Sequence, residues 1–134
     1  MSAVAIRAAL ETALNGIAPA LATAWENAPF TPTQGTAYQR VFLKGVTDNP
    51  TLGGNHYRIN GYMQVSLYYP LQTGSSAAST RAELIKTTFK RGYSFTSGGV
   101  TVIIDKTPDG MEGGRVDGDR FVLPVKIFFF CDIQ

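Results

Sequence analysis

Residues 57–69, YRINGYMQVSLYY, decide the fold. Tyr57, Ile59, Gly61, Met63, Val65, Leu67 and Tyr69 alternate with Arg58, Asn60, Tyr62, Gln64, Ser66 and Tyr68. Successive side chains leave a pleated backbone on opposite sides, so a period of two held this long predicts a half-buried antiparallel strand. Gly61 in its middle predicts a bulge or a bend.

One apolar strand face needs a cover, and two helical stripes supply it. Upstream, Ile6, Leu10, Leu14 and Ile17 recur at spacings of four, four and three, with Arg7, Glu11 and Asn15 off the stripe. That spacing predicts an amphipathic helix over about residues 3–16, capped by Ser2 and stopped by Gly16 and Pro19. Downstream, Pro70 and Gly74 end the strand, and Ala78, Ala82, Ile85 and Phe89 form the inner face of a second helix. Thr80 with Glu83 matches a capping box, and Lys90, Arg91 and Gly92 suit a helix C-terminus.

The remaining segments read as strands and turns. Residues 21–28, LATAWENA, allow a short strand, and PFTPTQG at 29–35 breaks regular structure. YQRVFLKG at 38–45 has strand-like density of β-branched and aromatic residues, and VTDNPTLGGNH at 46–56 reads as a loop. SFTSGGVTVIID at 94–105 contains a turn or bulge at Gly98–Gly99, and KTPDGMEGGRVDGDR at 106–120 is a polar connection of hairpin character. In FVLPVKIFFFCDI at 121–133, Phe121, Leu123, Val125, Ile127 and Phe129 share one face. The expected class is α+β: two helices packed on one face of a mainly antiparallel sheet, in a single domain spanning 1–134. In that arrangement Ile6, Leu10, Leu14, Ile85 and Phe89 pack on Ile59, Met63, Val65, Leu67, Leu123, Val125 and Ile127.

Composition supports a folded chain. Of 134 residues 44% are hydrophobic and 16% charged, whereas a typical soluble domain has roughly a quarter charged. A surface so poor in charge favours association with other subunits. The net charge of +2 is too small to argue for nucleic acid as the main partner. One cysteine, Cys131, excludes an internal disulfide, and no stretch approaches the roughly 18 apolar residues of a membrane span.

Catalytic chemistry finds little footing. His56 is the lone histidine and reads as a loop residue, and Cys131 lies in an apolar strand that disfavours a reactive thiolate. Asp105, Asp109, Glu112, Asp117 and Asp119 crowd the last long connection, but their spacing fails the calcium-loop pattern. Neither a phosphate-binding loop nor a serine nucleophile elbow occurs. No cofactor or metal is expected, nor an enzyme. Interest shifts to surfaces: Tyr62 and Tyr68 on one strand, with Val122, Phe128 and Phe130 on another, fall on the face opposite the core set. This band is either covered within the subunit, for instance by the 21–35 segment, or exposed, in which case Tyr62, Tyr68, Phe128 and Phe130 are the expected subunit interface, aromatic enrichment being characteristic of such surfaces. Arg81, Lys86, Lys90 and Arg91 give the second helix a basic outer side, to be read as a solvated face or as a lumen or partner surface.

Taken together, AWENAPFTP at 24–32, GTAYQRVFL at 35–43, GYMQVSLYYPLQTG at 61–74, IKTTFKRG at 85–92 and RFVLPVKIFFF at 120–130 resemble the tail terminator-like proteins of long-tailed bacteriophages. The W-E-N-x-P-F-x-P stretch at 25–32 is the most specific part. The resemblance implies a non-enzymatic subunit of a ring, typically hexameric, that caps the tail tube, stops its elongation and offers the head-attachment surface. It implies as partners other copies of the chain, the tail tube protein and a head-completion protein, with DNA passing through the lumen without sequence-specific contact. It places the protein in the host cytoplasm during assembly and then in the virion tail, with no part for a membrane. The isolated chain is compatible with a monomer. Alternatives are a head–tail connector, a tail tube subunit or a small cytoplasmic binding module.

Overall fold

The computed structural model describes residues 2–17, 21–26, 29–31, 36–49, 57–70, 76–108, 115–118 and 120–133. Along the chain these form α1 (Ser2–Asn15), β1 (Ala22–Ala24), β2 (Tyr38–Asn49), β3 (Tyr57–Pro70), α2 (Ser76–Thr88), β4 (Ser94–Ser97), β5 (Val100–Ile104), β6 (Arg115–Asp117) and β7 (Arg120–Ile133). The strands make one mixed sheet of order β1-β2-β3-β7-β5-β4, with β6 also paired to β7. β1 runs parallel to β2, and the other five ladders are antiparallel. The α+β class holds, and the parallel edge is an addition that the sequence reading lacked. A parallel neighbour requires a crossover, here the segment between Ala24 and Tyr38.

The sheet is built around β3 and β7, which pair without interruption from Tyr57↔Ile133 to Pro70↔Arg120. Met63↔Ile127, Val65↔Val125 and Leu67↔Leu123 set apolar residue against apolar residue, so the alternation of the two strands points the same way. All of the predicted core residues lie in one buried cluster: Ile6, Leu10 and Leu14 of α1, Ile85 of α2 and Phe89 just beyond it, with Ile59, Met63, Val65, Leu67, Leu123, Val125 and Ile127. Val41, Val102, Ile104, Phe129 and Cys131 join them. Burying each large aliphatic or aromatic side chain contributes about 1.5–3 kcal/mol relative to exposure, so this cluster is the main source of stability.

Two local readings need correction, and a third gains detail. The bulge expected at Gly61 is on the neighbouring strand: β2 shifts register between Lys44 and Thr47, which pair with Tyr62 and Asn60. Gly45 and Val46 thus oppose Gly61 alone, the two-against-one count of a bulge. Absorbing that extra residue lets β2 continue to Asn49, so residues 46–49 are strand where the sequence suggested loop. The polar connection after β5 contains β6, which turns through Gly118 at φ 62° and pairs Arg115–Asp117 with β7. Residues 50–56, including His56, lie outside the described residues.

The helix exits are as the sequence suggested. The Phe89 N–H donates to Ile85 O at 3.0 Å, and Gly92, at φ 86°, reverses the chain. The Gly92 N–H then donates to Ile104 O and the Ile104 N–H to Tyr93 O, which pins the end of α2 to β5. Gly98 and Gly99 form a two-residue hairpin turn at φ 57° and 78°, with Ser97 opposite Val100.

Candidate functional site

β2, β3 and β7 share a second face whose composition is unusual. In register across it stand Tyr38↔Tyr68↔Val122, Phe42↔Gln64↔Lys126, Lys44↔Tyr62↔Phe128 and Arg58↔Asp132, with Asn60 opposite Phe130. The strand periodicity that sends Met63 and Ile127 to the core sends these residues outward. Tyr62, Tyr68, Phe128 and Phe130 therefore do occupy one surface. Tyr62 and Phe128 are in ring contact at 5.3 Å, Tyr68 stacks on Tyr38 at 4.7 Å, and all four are half-buried.

The two ends of this face differ. At one end Phe30, from the crossover between β1 and β2, packs on Tyr38 at 5.1 Å, and Arg120 donates to Thr36 O and lies over the Tyr38 ring. Tyr38 and Val122 are consequently buried, at 6% and 1% exposure. At the other end Phe42, Tyr62, Phe128 and Phe130 remain half-exposed.

Cations accompany almost every ring. Lys44 lies over Phe42, Lys126 over Tyr62, Lys106 over Phe128, Arg58 over Phe130 and Arg40 beside Tyr38 and Tyr68, at 4.1–5.9 Å. A cation is drawn to the negative face of an aromatic ring, so the rings hold these long side chains close to the sheet. With Arg120, six of the twelve Lys and Arg residues of the chain sit on this face. Asp132 partly offsets them: its carboxylate accepts both Arg58 Nε at 2.7 Å and Arg58 Nη2 at 3.1 Å. That bidentate pair holds the Asp132 carboxyl below its ordinary value and the Arg58 guanidinium above its own.

The basic side of α2 is smaller than the sequence reading held. Lys86, Lys90 and Arg91 are exposed, Lys90 and Arg91 beyond the last helical residue. Arg81 is buried at 4% exposure, because its spacing from Ala78 and Ile85 places it on the inner stripe and not the outer one. Burial holds its guanidinium below the ordinary value, and burial likewise raises the nearby Tyr69 phenol. Arg81 belongs to the interior and so leaves the set of partner-facing residues.

Cys131 is fully buried in the core, and burial, then the neighbouring Asp132, raises its thiol. Among the described residues no three His, Cys, Asp or Glu side chains gather as metal ligands, and no helix is long and apolar enough to cross a membrane. Asp109, Glu112 and Asp119 lie outside the described residues. A groove between α1 and β4, lined by Ala9, Thr12, Ala13, Thr88 and Phe95, carries no ionisable side chain.

The sequence reading named the aromatics of the outer face but not its cations. The alternation Tyr38, Arg40, Phe42, Lys44 carries the same signal on β2 and was legible at a period of two. Nothing local to Lys106 announces that it reaches Phe128.

The family model described as "Phage tail terminator protein" matches residues 5–129. A solved structure superimposes with a TM-score of 0.80 at 26% identity, covering 100% of this chain and 98% of its own. No curated protein matches the sequence significantly.

Proposed function

The chain belongs to the phage tail terminator protein family, a structural family, and from that premise we propose that it is the tail terminator subunit itself. As a single domain with both helices on one face of its sheet, it assembles into a hexameric ring on the head-proximal end of the tail tube. There it stops elongation and offers the surface to which the filled head attaches. The protein acts in the host cytoplasm during assembly and remains in the virion tail.

The family match over residues 5–129 carries this reading. Geometry supports it through the outer sheet face, whose half-exposed aromatics and clustered cations are unusual for a surface that meets only water. Growth stops physically when a ring presents one surface to the tube and a different one beyond it, leaving no tube-like face for the next addition. Tyr62, Tyr68, Phe128 and Phe130 contribute to contacts between subunits, and Lys86, Lys90 and Arg91 face the lumen or a partner.

The test is tube assembly with and without the protein, with lengths measured by electron microscopy. Capping shortens and narrows the length distribution as protein is added. Unchanged lengths at saturating protein would overturn the reading. A tail tube subunit would instead polymerise by itself into extended tubes.

A further inference from the structure

We propose that neighbouring copies of the chain join by their sheet edges, β4 of one copy pairing in parallel with β1 of the next, so that one sheet runs on around the ring. The existence of a ring rests on the terminator reading. The contact itself is inferred from the topology and chemistry of the sheet edges.

An edge strand offers unpaired N–H and C=O groups as a template for another strand, and proteins that stay apart blunt such edges with charge or proline. The edges of this sheet differ in that respect. Beyond Arg40, β2 carries Lys44, and the Glu26 carboxylate takes up the Leu43 N–H. β6 has two charged residues among its three, Arg115 and Asp117. β1, Ala22–Ala24, and β4, Ser94–Ser97, have neither a charged residue nor a proline. They are also the two ends of the strand order.

The backbone of β4 is set to pair. In an antiparallel ladder alternate residues turn their N–H and C=O to the partner, and those between turn them away. Ser97 and Val100 close the two-residue turn, and the Ile104 N–H donates to Tyr93 O, so Tyr93, Phe95 and Ser97 are the residues bonded to β5. Ser94 and Thr96 therefore direct their backbone groups off the sheet, and among the described residues no strand meets them there. On the core side of this edge runs the groove between β4 and α1, about 600 Å3 in volume, which leaves room for an added strand. Its small, uncharged lining, including Ala9, Thr12 and Ala13, suits the short side chains of β1.

Strand sense completes the match. β1, β2, β7 and β4 run one way, and β3 and β5 the other. Rotation about a ring axis preserves that sense, so β4 of one copy meets β1 of the next in parallel. The two edges are different parts of the molecule, which makes the contact heterologous, the kind that generates rings. Two β4 edges would instead pair antiparallel about a twofold axis and stop at a dimer, leaving β1 open.

Thiol cross-linking on tail tubes tests the contact. Ala22 and Thr96 are exposed on the same outer side of the sheet, and the native Cys131 is buried out of reach. Ala22→Cys and Thr96→Cys chains are mixed with tubes and a short bis-maleimide. The mixed cross-linked dimer is expected, and a chain with both substitutions should give a ladder of species that ends at the closed ring. Thr96→Pro removes only an outward N–H, which an edge strand tolerates. It should need at least about fivefold more protein to cap tubes, one hydrogen bond being lost at each contact. Thr96→Lys leaves the backbone donor in place and blunts the edge, and should weaken capping in the same direction. Capped tubes without the mixed cross-link overturn the proposal and leave the terminator reading standing. Thr96→Cys chains that cross-link only to each other assign β4 to a twofold dimer and also overturn it, as do folded Thr96→Pro and Thr96→Lys chains that cap like the wild type. Uncapped tubes with no cross-link overturn both readings. Circular dichroism checks that each variant is folded.

Discussion

Glu26 Oε1 accepts the Leu43 backbone N–H at 3.1 Å and also the Arg7 guanidinium at 3.0 Å. β1 ends at Ala24, opposite Arg40, so among the described residues no strand pairs with that edge of β2 beyond this point, and the carboxylate supplies an acceptor in its place. One side chain thus joins α1, the crossover and the sheet.

This contact makes stability acid-sensitive. The Leu43 N–H, more than Arg7, holds the Glu26 carboxyl below its ordinary value of 4.5. In acid the unfolded state therefore binds the proton first. The stabilisation is complete above pH 4.5 and is lost as pH falls through the lowered folded-state value. Because Glu26 is partly solvated, its share is about 1 kcal/mol or less. Urea unfolding of Glu26→Gln should show a shallower loss of stability between pH 5 and 3 than the wild type, as estimated from carboxylate titration ranges of about 4.

Arg81 and Lys86 should respond very unequally to charge reversal. Arg81→Glu puts a carboxylate into a buried site beside Tyr69 and should cost about 3 kcal/mol or more. Lys86→Glu, on the exposed side of the same helix, should change stability by about 0.5 kcal/mol or less. Denaturant midpoints with unchanged slopes would establish the contrast.

The hairpin turn between β4 and β5 offers a backbone test. Gly99 has φ 78° and open space around the position of a Cβ, so Gly99→Ala meets no clash and suffers only from the left-handed backbone. The expected cost is about 1–2 kcal/mol, and Gly99→Asn should recover part of it because asparagine tolerates that region. Thermal melts of the two variants measure the difference.

Phe89 closes the core at the end of α2, fully buried and in ring contact with Phe95 of β4 at 5.2 Å. Phe89→Ala should lose about 3–5 kcal/mol, the usual range for emptying an aromatic core position. Cys131 reports on the same event, being unreactive towards a thiol reagent in the native chain and labelled as soon as the core opens.

The core was legible because β3, β7 and both helices keep a strict period, and a period is a property of the sequence itself. Val65, Leu67, Ile85 and Phe89 are where their spacing put them. The same periodicity placed Tyr62, Tyr68, Phe128 and Phe130 on a common outer surface. What escaped were features set by tertiary neighbours. β1 has three residues and pairs in parallel, which no local pattern specifies. The bulge sits on β2 because register is a joint property of two strands, and Gly61 gave the neighbourhood without the strand. The charge of Arg81 suggests a solvated site, but its helical position decides, since a residue three after Ala78 and four before Ile85 faces inward.

β7 lies between β3 and β5 in the sheet although it follows every other described strand in sequence. During synthesis, a ribosome that has translated through residue 119 has made the other described elements and still lacks the strand that joins the two halves of the sheet. Its partner, β3, was made some fifty residues earlier, and closing that span costs entropy before any contact offsets it. Folding should therefore wait for β7 and then proceed as one cooperative step, on the order of milliseconds to seconds for so non-local a pairing. Until then the apolar faces of β3 and both helices are uncovered. Truncated or stalled chains are therefore the forms of this protein expected to aggregate.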